Sequence, residues 1–504
     1  MGQSSVTLRC PQLGRTQQLL ICLSMVHRQL KVSWGFRGIW MFRWQLALGG
    51  VCSLLAACGG GGEGSPPPSA APAPTPTPVP TPSPTPTPTP SGTGQGPATV
   101  SFLHVFGISP TDGWHPLQPL MQAADGNLYG VASGGGNTCS QIASCGAVIK
   151  VTPAGQVSVL HAFRGHPIDG ETPSGPLIEG RDGALYGTTY TGGKHNRGTV
   201  FRLTLSGHHT VVYSFGPDFA DGYHPQGRLL EAQDGNLYGA ASGGPNYCPG
   251  GGKECGMIFR LSPAGVMTVI HNFRNAPNEG AMPNGSLSEG SDGAFYGTTV
   301  GGGNYGCSPN PGLSGCGTVF RITPSGTVQF LHSFGANSSD GIQPFGALLR
   351  GVDGAFYGTT RHGGGGTCNY TSSCGTVFKI SPSGSLSIVY AFSRPANGPA
   401  FARRDGFAPA PFLTMGTDGL LYGVTEDGGL HEGVQNGTIF RLSLSGVKEI
   451  LYNFGPFSEN PHQPTGGLVQ GRDGAFYGMT YFNGKLGQSG ARTGLGTVYK
   501  MTLP

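Results

Sequence analysis

Short runs of alternating hydrophobic and polar residues, separated by glycine-rich turns, fill the chain from about residue 98 to its end. Alternation of this kind, rich in β-branched and aromatic residues, is typical of antiparallel strands. One unit, read from Pro173, predicts four strands at 176–180, 184–190, 199–204 and 209–215. The turns between them contain Asp182-Gly183 and Ser206-Gly207.

Three motifs of this unit recur seven times each along the chain. The hexapeptide Asp-Gly-x-Leu/Phe-Tyr-Gly begins, at intervals of 52 to 65 residues, at Asp125, Asp182, Asp234, Asp292, Asp353, Asp418 and Asp473. A strand resembling Gly-Thr-Val-Phe begins at Gly146, Gly198, Gly256, Gly317, Gly375, Gly437 and Gly496. A further strand ends in Phe106, Phe163, Phe215, Phe273, Phe334, Phe392 and Phe454.

A four-stranded unit repeated seven times predicts an all-β fold, a seven-bladed β-propeller of four-stranded blades. The repeats open with an orphan fourth strand, 100–106, and end with a third strand, 496–501, that lacks its fourth. The N-terminal strand is therefore predicted to join the last blade and close the ring, which removes two exposed sheet edges.

The repeats resemble the GloVer tandem repeat family of bacterial surface proteins in four motifs: Asp-Gly-x-x-Pro, Asp-Gly-x-x-Tyr-Gly-x-Thr, Gly-Gly and Gly-Thr-Val-Phe. The resemblance extends from about residue 98 to residue 504. It implies a propeller displayed at the cell surface, and it leaves the activity open.

Composition excludes two other classes of protein. The chain has 91 glycines among 504 residues, and each glycine inside a helix costs about 1 kcal/mol relative to alanine, so a helical fold is excluded. Six basic residues and no acidic residue precede Cys58, which leaves 29 − 6 = 23 basic residues against 25 acidic ones. A nearly neutral remainder argues against a nucleic-acid partner.

The N-terminal region has the pattern of an export signal. Residues 41–57 contain a short basic stretch, the apolar run 46–55 and the small-residue ending Leu55-Ala56-Ala57, which predicts a signal peptide. With Cys58 this ending resembles a bacterial lipobox, in which the cysteine becomes the lipidated first residue. An ordinary secretory signal is the alternative. Residues 1–40 are interpreted as an upstream extension outside the translated protein, with Met41 as the start.

Residues 58–97 are predicted to form a stalk rich in Gly, Pro and Thr. Thr-Pro and Ala-Pro alternate from Pro66 to Pro90, and this density of proline favours extended polyproline II. Twenty-five residues of that helix reach roughly 78 Å. The stalk would hold the propeller domain, 98–504, away from a membrane; a proline-rich ligand for a recognition domain is the alternative.

Eight of the 12 cysteines lie in close pairs between the second and third strands of four repeats. In an exported protein they predict four disulfides that clamp these loops. Zinc is the less favoured alternative, because no His or third Cys accompanies a pair. The predicted bonds are Cys139–Cys145, Cys248–Cys255, Cys307–Cys316 and Cys368–Cys374.

Candidate ligand-binding residues lie where the seven-fold pattern breaks. A loop carrying Asp/Glu-Gly-x-x-Pro precedes each first strand, and two residues before the proline it holds Trp114, Tyr223, Phe407 and His462 in four repeats. Such rings, with His115 and His224 beside them, could stack on sugar rings or grip an aromatic ligand. The alternative is that they cap the core between blades. Arg403 and Arg404, in the longest such loop, could contact an anionic ligand or form a solvated surface.

Three acidic residues, Glu179, Glu231 and Glu289, occupy one equivalent position on predicted first strands of successive repeats. Three carboxylates at one level of a channel could act as acid and base or bind a cation, although a scaffold role in ion pairs is the simpler interpretation. The sequence contains no Walker loop, no His-Glu-x-x-His and no Gly-x-Ser-x-Gly. No cofactor and no metal site are predicted.

These patterns together predict an exported, lipid-anchored protein of the outer membrane or cell surface, with the lipid as its only membrane contact. The propeller is expected to be monomeric and to bind polysaccharide, an envelope component or a protein partner. A propeller enzyme, either polysaccharide lyase or glycoside hydrolase, is the second hypothesis. A purely structural surface module is the third.

Overall fold

The computed structural model describes 97–106, 113–137, 139, 144–218, 220–245, 255–274, 279–307, 315–337, 339–365, 374–393, 405–429, 436–455, 461–482 and 495–504. The chain divides into two units, Met1–Pro84 and Thr85–Pro504. The predicted extension, signal peptide, Cys58 and stalk up to residue 96 lie outside the described residues. Within the described part, every regular element is a strand, and no helix is present that could cross a bilayer.

The second unit consists of seven antiparallel sheets arranged as a seven-bladed β-propeller, which confirms the predicted fold. Blade 7 takes its outer strand from the N-terminus, β1 (Thr99–Val105). Blade 1 contains β2 (Trp114–Pro116), β3 (Met121–Gln122), β4 (Leu128–Gly134), β5 (Ala147–Val151) and β6 (Val157–Ala162). Blade 2 contains β7 (Gly170–Pro173), β8 (Ile178–Glu179), β9 (Leu185–Gly192), β10 (Thr199–Leu203) and β11 (His209–Ser214).

The remaining blades repeat this order. Blade 3 contains β12 (Tyr223–Glu231), β13 (Leu237–Gly243), β14 (Met257–Leu261) and β15 (Met267–Asn272). Blade 4 contains β16 (Gly280–Pro283), β17 (Ser288–Glu289), β18 (Phe295–Gly302), β19 (Thr318–Ile322) and β20 (Val328–Ser333). Blade 5 contains β21 (Gly341–Pro344), β22 (Leu349–Arg350), β23 (Phe356–Gly363), β24 (Thr376–Ile380) and β25 (Leu386–Ala391). Blade 6 contains β26 (Phe407–Pro409), β27 (Thr414–Met415), β28 (Leu421–Asp427), β29 (Thr438–Leu442) and β30 (Lys448–Asn453). Blade 7 contains β31 (His462–Gln470), β32 (Phe476–Phe482) and β33 (Thr497–Thr502).

The inner strand of each blade differs from the prediction, because it begins at the Gly-x-x-Pro motif. In blade 2 the predicted inner strand, 176–180, is only its second half, β8, and the motif itself forms β7. Gly170 pairs with Gly192, and Pro173 pairs with Thr189. A proline has no N–H for the ladder and tolerates edge positions, so the innermost strand can hold it. The motif that the sequence placed in a loop is therefore part of the sheet.

Ring closure follows the prediction. The N-terminal β1 pairs antiparallel with β33, with Thr99 opposite Thr502 and Val105 opposite Thr497. Val100 and Phe106 are buried, and Val100 packs in a core cluster with Phe454 and Tyr499. The last blade thus has no unpaired third strand.

The core lies between neighbouring blades. The phenylalanine that follows each outer strand is buried, and in six of the seven described blades it meets, edge to face, an aromatic ring on the third strand of the next blade. Phe163 and Phe201 show this contact, with ring centroids 5.2 Å apart. Such T-shaped pairs are favourable beyond the area they bury. Six joints share the arrangement: Phe163–Phe201, Phe215–Phe259, Phe273–Phe320, Phe334–Phe378, Phe392–Phe440 and Phe454–Tyr499.

The Asp-Gly-x-x-Tyr-Gly motif builds the hairpin between the first and second strands. In blade 1, Asp125 accepts hydrogen bonds from the N–H of Asn127 at 3.0 Å and from the hydroxyl of Tyr129 at 2.7 Å. Gly126 has φ +82°, a conformation that glycine adopts without a steric penalty. The repeated aspartates therefore serve the scaffold.

Candidate functional site

A hydrogen bond built into the Gly-x-x-Pro motif joins each blade to the preceding one. The residue before the motif proline has φ between 52° and 57° in all seven blades, although none of these residues is glycine. Its N–H donates, at 2.7 to 3.0 Å, to the carbonyl of the residue that precedes the Gly-Thr-Val-Phe strand of the preceding blade. The seven donor–acceptor pairs are His115–Leu495, Thr172–Cys145, His224–Arg197, Met282–Cys255, Gln343–Cys316, Ala408–Cys374 and Gln463–Asn436.

The predicted disulfides support this joint. Cys139–Cys145 and Cys307–Cys316 are bonded, with Cα atoms 5.4 Å and 5.0 Å apart. Cys255 and Cys374 are also disulfide-bonded, whereas their predicted partners, Cys248 and Cys368, lie outside the described residues. The second cysteine of each pair supplies the carbonyl that the next blade binds, so the disulfide holds an acceptor in place.

The four rings predicted to stack on a ligand cover a strand of their own blade, and two of them also contact the preceding blade. Phe407 shares a core cluster with Phe392 of blade 5, and Arg197 of blade 2 lies 5.5 Å from the ring centroid of Tyr223. Tyr223, Phe407 and His462 are at most 8% exposed, and Trp114 is half-buried. Each lies on the first strand opposite the end of the second strand, where Tyr223 covers Gly243 so closely that a Cβ there would come within 2.4 Å of the ring. This is a correction to the predicted loop position: the rings are strand residues that cover the neighbouring strand.

His115 and His224 lie between blades. His115 stacks on Tyr481 of blade 7 with ring centroids 4.5 Å apart, and His224 stacks on Tyr190 of blade 2 at 4.0 Å. Burial, with the nearby charge of Arg197, lowers the pKa of His224 to about 4. Burial also lowers the pKa of His115. Both imidazoles are therefore neutral near pH 7. Arg403 and Arg404 lie outside the described residues.

The predicted channel carboxylates clamp the hairpins of neighbouring blades. Glu179 accepts two hydrogen bonds, at 2.8 and 3.1 Å, from the N–H of Ala124 in blade 1. Glu231 accepts one from the N–H of Arg181 in blade 2 at 2.8 Å. Glutamines take the same role in two other blades, where Gln470 binds the N–H of Thr417 and Gln122 binds that of Arg472. Because an amide replaces the carboxylate, the shared function is hydrogen-bond acceptance. Glu289 lies at the equivalent position on β17.

All seven blades contribute residues to one cavity of about 250 Å³. Six of the contributions come from the residue directly after the motif proline. Leu117 and Phe345 are exposed there, whereas the other members of the set are half-buried. One lining residue from each blade, in order, is Leu117, Ser174, Gln226, Asn284, Phe345, Pro411 and Thr465. Unlike the scaffold positions, this position differs from blade to blade.

The lining of this cavity is largely apolar, and five uncharged polar side chains contribute to it: Gln118, Ser174, Gln226, Asn284 and Thr465. Gln118 donates from its amide to the carbonyl of Ser174 at 2.8 Å, and the hydroxyl of Ser174 donates to the carbonyl of Pro225, also at 2.8 Å. These bonds connect successive blades and fix the orientation of the lining. The acidic lining residue, Glu426, is paired with Arg361 at 3.1 Å. A site of this kind can recognise hydroxyl and amide groups, with Leu117 and Phe345 as apolar contacts.

A second group of side chains lies between the outer strands of blades 1 and 2 and was missed in the sequence. His161, Asp169 and His209 have ligand atoms that all lie within 4.8 Å of one another. Asp169 comes from the Asp-Gly-x-x-Pro motif, and His161 is the fifth residue of the outer strand β6, a position that Tyr390 occupies in β25. His209 is the first residue of β11, a position that is apolar in most blades. In the sequence, the adjacent histidines His208 and His209 were the feature that could have pointed to this group.

The repeats of this chain match a known family model. The family model of the Gloeobacter/Verrucomicrobia repeat matches residues 91–309, 249–403 and 304–504. No curated protein matches the chain. Among solved structures, the extracellular domain of a hybrid two-component system from B. thetaiotaomicron has a TM-score of 0.47 and 11% identity over 80% of this chain. This chain spans only 41% of that one.

Two further solved structures are similar at the same low level. A fungal alcohol oxidase of the AA5 family has a TM-score of 0.46 and 14% identity over 77% of this chain and 74% of its own. A luciferin-regenerating enzyme has a TM-score of 0.38 and 12% identity over 80% of this chain and 95% of its own. Function is not inferred from likenesses this distant. The matches of the repeat model cover most of the chain, and the protein therefore belongs to the Gloeobacter/Verrucomicrobia repeat family.

Proposed function

We propose that this propeller is a binding module that holds a small, uncharged polar group, such as one sugar unit of a polysaccharide, in its seven-blade cavity. The observation that carries this proposal is the ring of seven lining residues. The scaffold motifs repeat in every blade, whereas these seven side chains differ between blades. Symmetry is thus lost where side chains from all blades meet.

The size and chemistry of the cavity support a small neutral ligand. Its volume of about 250 Å³ is slightly below the roughly 300–1,000 Å³ of typical small-molecule pockets, so it suits a single ring better than a whole oligosaccharide. Amides and hydroxyls, such as those of Asn284 and Thr465, can pair with sugar hydroxyls. Phe345, 38% exposed, can pack on an apolar ring face.

Binding to a glycan array tests this proposal with the full chain. We expect Asn284→Ala and Phe345→Ala each to weaken glycan binding at least about tenfold, the equivalent of about 1.4 kcal/mol. Val352→Ser, at an 84% exposed residue outside the cavity lining, is the matched control and should bind normally. Equal binding by all variants would exclude the cavity, and the absence of any glycan ligand would favour a protein partner or a purely structural module.

The enzyme hypothesis receives no support from the predicted carboxylates. Glu179 and Glu231 are occupied by the backbone N–H groups of neighbouring hairpins, and a glutamine fills the same role in other blades. A glycosidase or lyase mechanism through these groups is therefore not proposed.

We also propose that the protein is exported and anchored through lipid on Cys58, with residues 58–97 as a stalk. The lipobox-like sequence supports the anchor, and the disulfides of the propeller support an oxidising compartment. Intact mass of the detergent-extracted protein should show an acylated N-terminal Cys58. Cys58→Ser should release the protein from the membrane fraction, and a soluble wild type would contradict the anchor.

A further inference from the structure

In blades 2 and 6 the first residue of the outer strand lies beside the acidic residue of the Asp/Glu-Gly-x-x-Pro motif that leads into the same blade, and its identity breaks the seven-fold pattern. Pairing with the third strand defines the equivalent positions, as in His209 opposite Leu203 and Val328 opposite Ile322. Five blades have an apolar residue at this position: Val100, Val157, Met267, Val328 and Leu386. Blade 2 has His209 and blade 6 has Lys448.

Lys448 shows what this environment accepts. Its ammonium group forms an ion pair with Asp405, the acidic residue of the preceding motif, and only 5% of its side chain is exposed. The same nitrogen lies 4.9 Å from the ring centroid of Tyr390, which occupies the position of His161. A positive charge is thus held between the acidic and aromatic residues of that joint.

At the equivalent joint between blades 1 and 2, His209 takes the place of the lysine. The rings of His161 and His209 stack with centroids 3.9 Å apart. Nε2 of His161 lies 3.0 Å from Oδ2 of Asp169, and Nε2 of His209 lies 3.5 Å from Oδ1 of the same carboxylate. The side chains are 15%, 11% and 6% exposed for His161, His209 and Asp169.

The histidine does not reproduce the ion pair of the lysine, because its Nε2 lies 3.5 Å from the carboxylate oxygen of Asp169. This buried Nε2 makes no hydrogen bond within the described structure. An unpaired buried nitrogen is costly, because it has lost its hydrogen bonds to water and has gained none in the protein. The joint therefore has one buried carboxylate and two imidazoles, where blade 6 has a carboxylate and an ammonium.

We propose that His161, Asp169 and His209 bind a divalent transition-metal ion, for which Zn²⁺ is the probe. Two imidazole nitrogens and one carboxylate oxygen are a common set of three zinc ligands that leaves a fourth position open. Ligand atoms at the corners of a tetrahedron with bonds of about 2.0 Å lie about 3.3 Å apart. The two nitrogen–oxygen distances, 3.0 and 3.5 Å, are close to that spacing. The two imidazole rings are parallel, so on binding they must tilt until both Nε2 lone pairs point at the ion.

The surroundings orient the ligands and leave a path to them. Asp169 accepts hydrogen bonds from the N–H of Gly170 at 2.6 Å and of Arg164 at 3.1 Å, which fixes its carboxylate. An open cavity of about 300 Å³ borders all three ligands and is also lined by Ile168 and His208. The charge of Arg164 opposes a cation, so the ion is expected to be exchangeable and to bind more tightly to Arg164→Ala.

Metal titration of the full chain, produced without a histidine tag and stripped with chelator, tests the proposal. Wild type should bind one Zn²⁺ more than His209→Val, which introduces the residue found in blades 1, 4 and 7. Co²⁺ should give a visible absorption band in the wild type that this variant lacks. Loss of the His209 imidazole should lower the Zn²⁺ affinity by more than the roughly 10–100-fold that is typical of substitutions in the outer coordination shell.

Two further variants separate ligation from folding. His161→Tyr introduces the residue that other blades use to bind the motif acid, as in Tyr390 and Asp405 at 2.7 Å, so it should fold normally and lose the ion. His271→Tyr alters the equivalent His271–Glu279 pair, at a joint where Val328 takes the place of His209. This variant should bind Zn²⁺ as the wild type does. Equal binding by the wild type and His161→Tyr, or no Co²⁺ band in the wild type, would overturn the proposal.

Discussion

Each of the seven blades holds a non-glycine residue in the left-handed region directly before its motif proline, and the eighth such residue of the described chain is Asn196. Such a conformation costs about 1–3 kcal/mol for a residue with a side chain. The backbone N–H that it directs towards the preceding blade offsets this cost. Thr172, β-branched and at φ 56°, is the most strained member of the set.

Substitution of Thr172 separates strain from the hydrogen bond. Thr172→Gly relieves strain of about 1 kcal/mol but loses about 0.4–1 kcal/mol by adding freedom to the unfolded chain, so the free energy of unfolding should change little. Thr172→Pro removes the N–H and forces φ near −65°, and it should cost at least about 3 kcal/mol. Urea unfolding measures both, and a tolerated proline would mean that the bond to Cys145 is dispensable.

The stacked His224 should make stability depend on pH. Its pKa is about 4 in the folded protein and about 6.5 when unfolded, so the unfolded chain binds more protons between these values. Stability is therefore complete above pH 6.5 and falls progressively towards pH 4. His224→Gln should flatten the dependence of the urea midpoint between pH 4 and 6.5, measured in chelator. An unchanged slope would contradict a neutral, buried imidazole.

Single residues were the hardest feature to predict. The Asp/Glu-Gly-x-x-Pro motif that contains Asp169 was recognised in the sequence. It was not connected with His161 and His209, because that contact depends on how the outer strands of two blades pack together. The left-handed residues were also missed, since His, Thr, Met, Gln and Ala give no signal for positive φ. In contrast, the turns at Gly126 and in the other Asp-Gly motifs were predicted correctly, because glycine readily adopts the positive φ that these turns require.

At the scale of elements, the period-two pattern located the second, third and outer strands within one or two residues. The inner strand was placed too late, because its first half holds the left-handed residue and a proline, both of which normally indicate a loop. Register explains the difference: Gly170 and Pro173 pair with the end of β9. The cysteine pairs were predicted from spacing alone, and the structure adds their role at the blade joints.

Removing one disulfide should loosen one joint. Cys139→Ala with Cys145→Ala opens a loop with a sequence separation of 6, for which loop-closure entropy gives about 2 kcal/mol. The comparison is Cys307→Ala with Cys316→Ala, whose longer separation of 9 should cost slightly more. Urea unfolding measures both losses. An unchanged free energy of unfolding in both variants would show that the hydrogen bonds donated by Thr172 and Gln343 hold these joints without the disulfides.

At the scale of the whole molecule, blades 7 and 1 share the hydrogen bonds of the other joints. His115 donates to the carbonyl of Leu495 and stacks on Tyr481, and Gln122 accepts from the N–H of Arg472. The aromatic pair of the other six joints is replaced here by Phe106 and Ile149, which lie in one core cluster. The covalent chain does not continue from β33 into blade 1, so β1 alone completes the last blade.

Truncation at two points tests this closure. A chain beginning at residue 97 keeps β1 and should unfold at nearly the same urea concentration as the full chain. A chain beginning at residue 107 loses the buried Val100 and Phe106, and Tyr499 loses part of its cover. Loss of one buried aromatic side chain alone costs about 3–5 kcal/mol, and the bare edge of β33 can pair with another molecule. We expect the shorter chain to be destabilised by at least this amount and to elute as oligomers in gel filtration. If it remained monomeric and as stable as the longer chain, ring closure through β1 would not be what holds the last blade together.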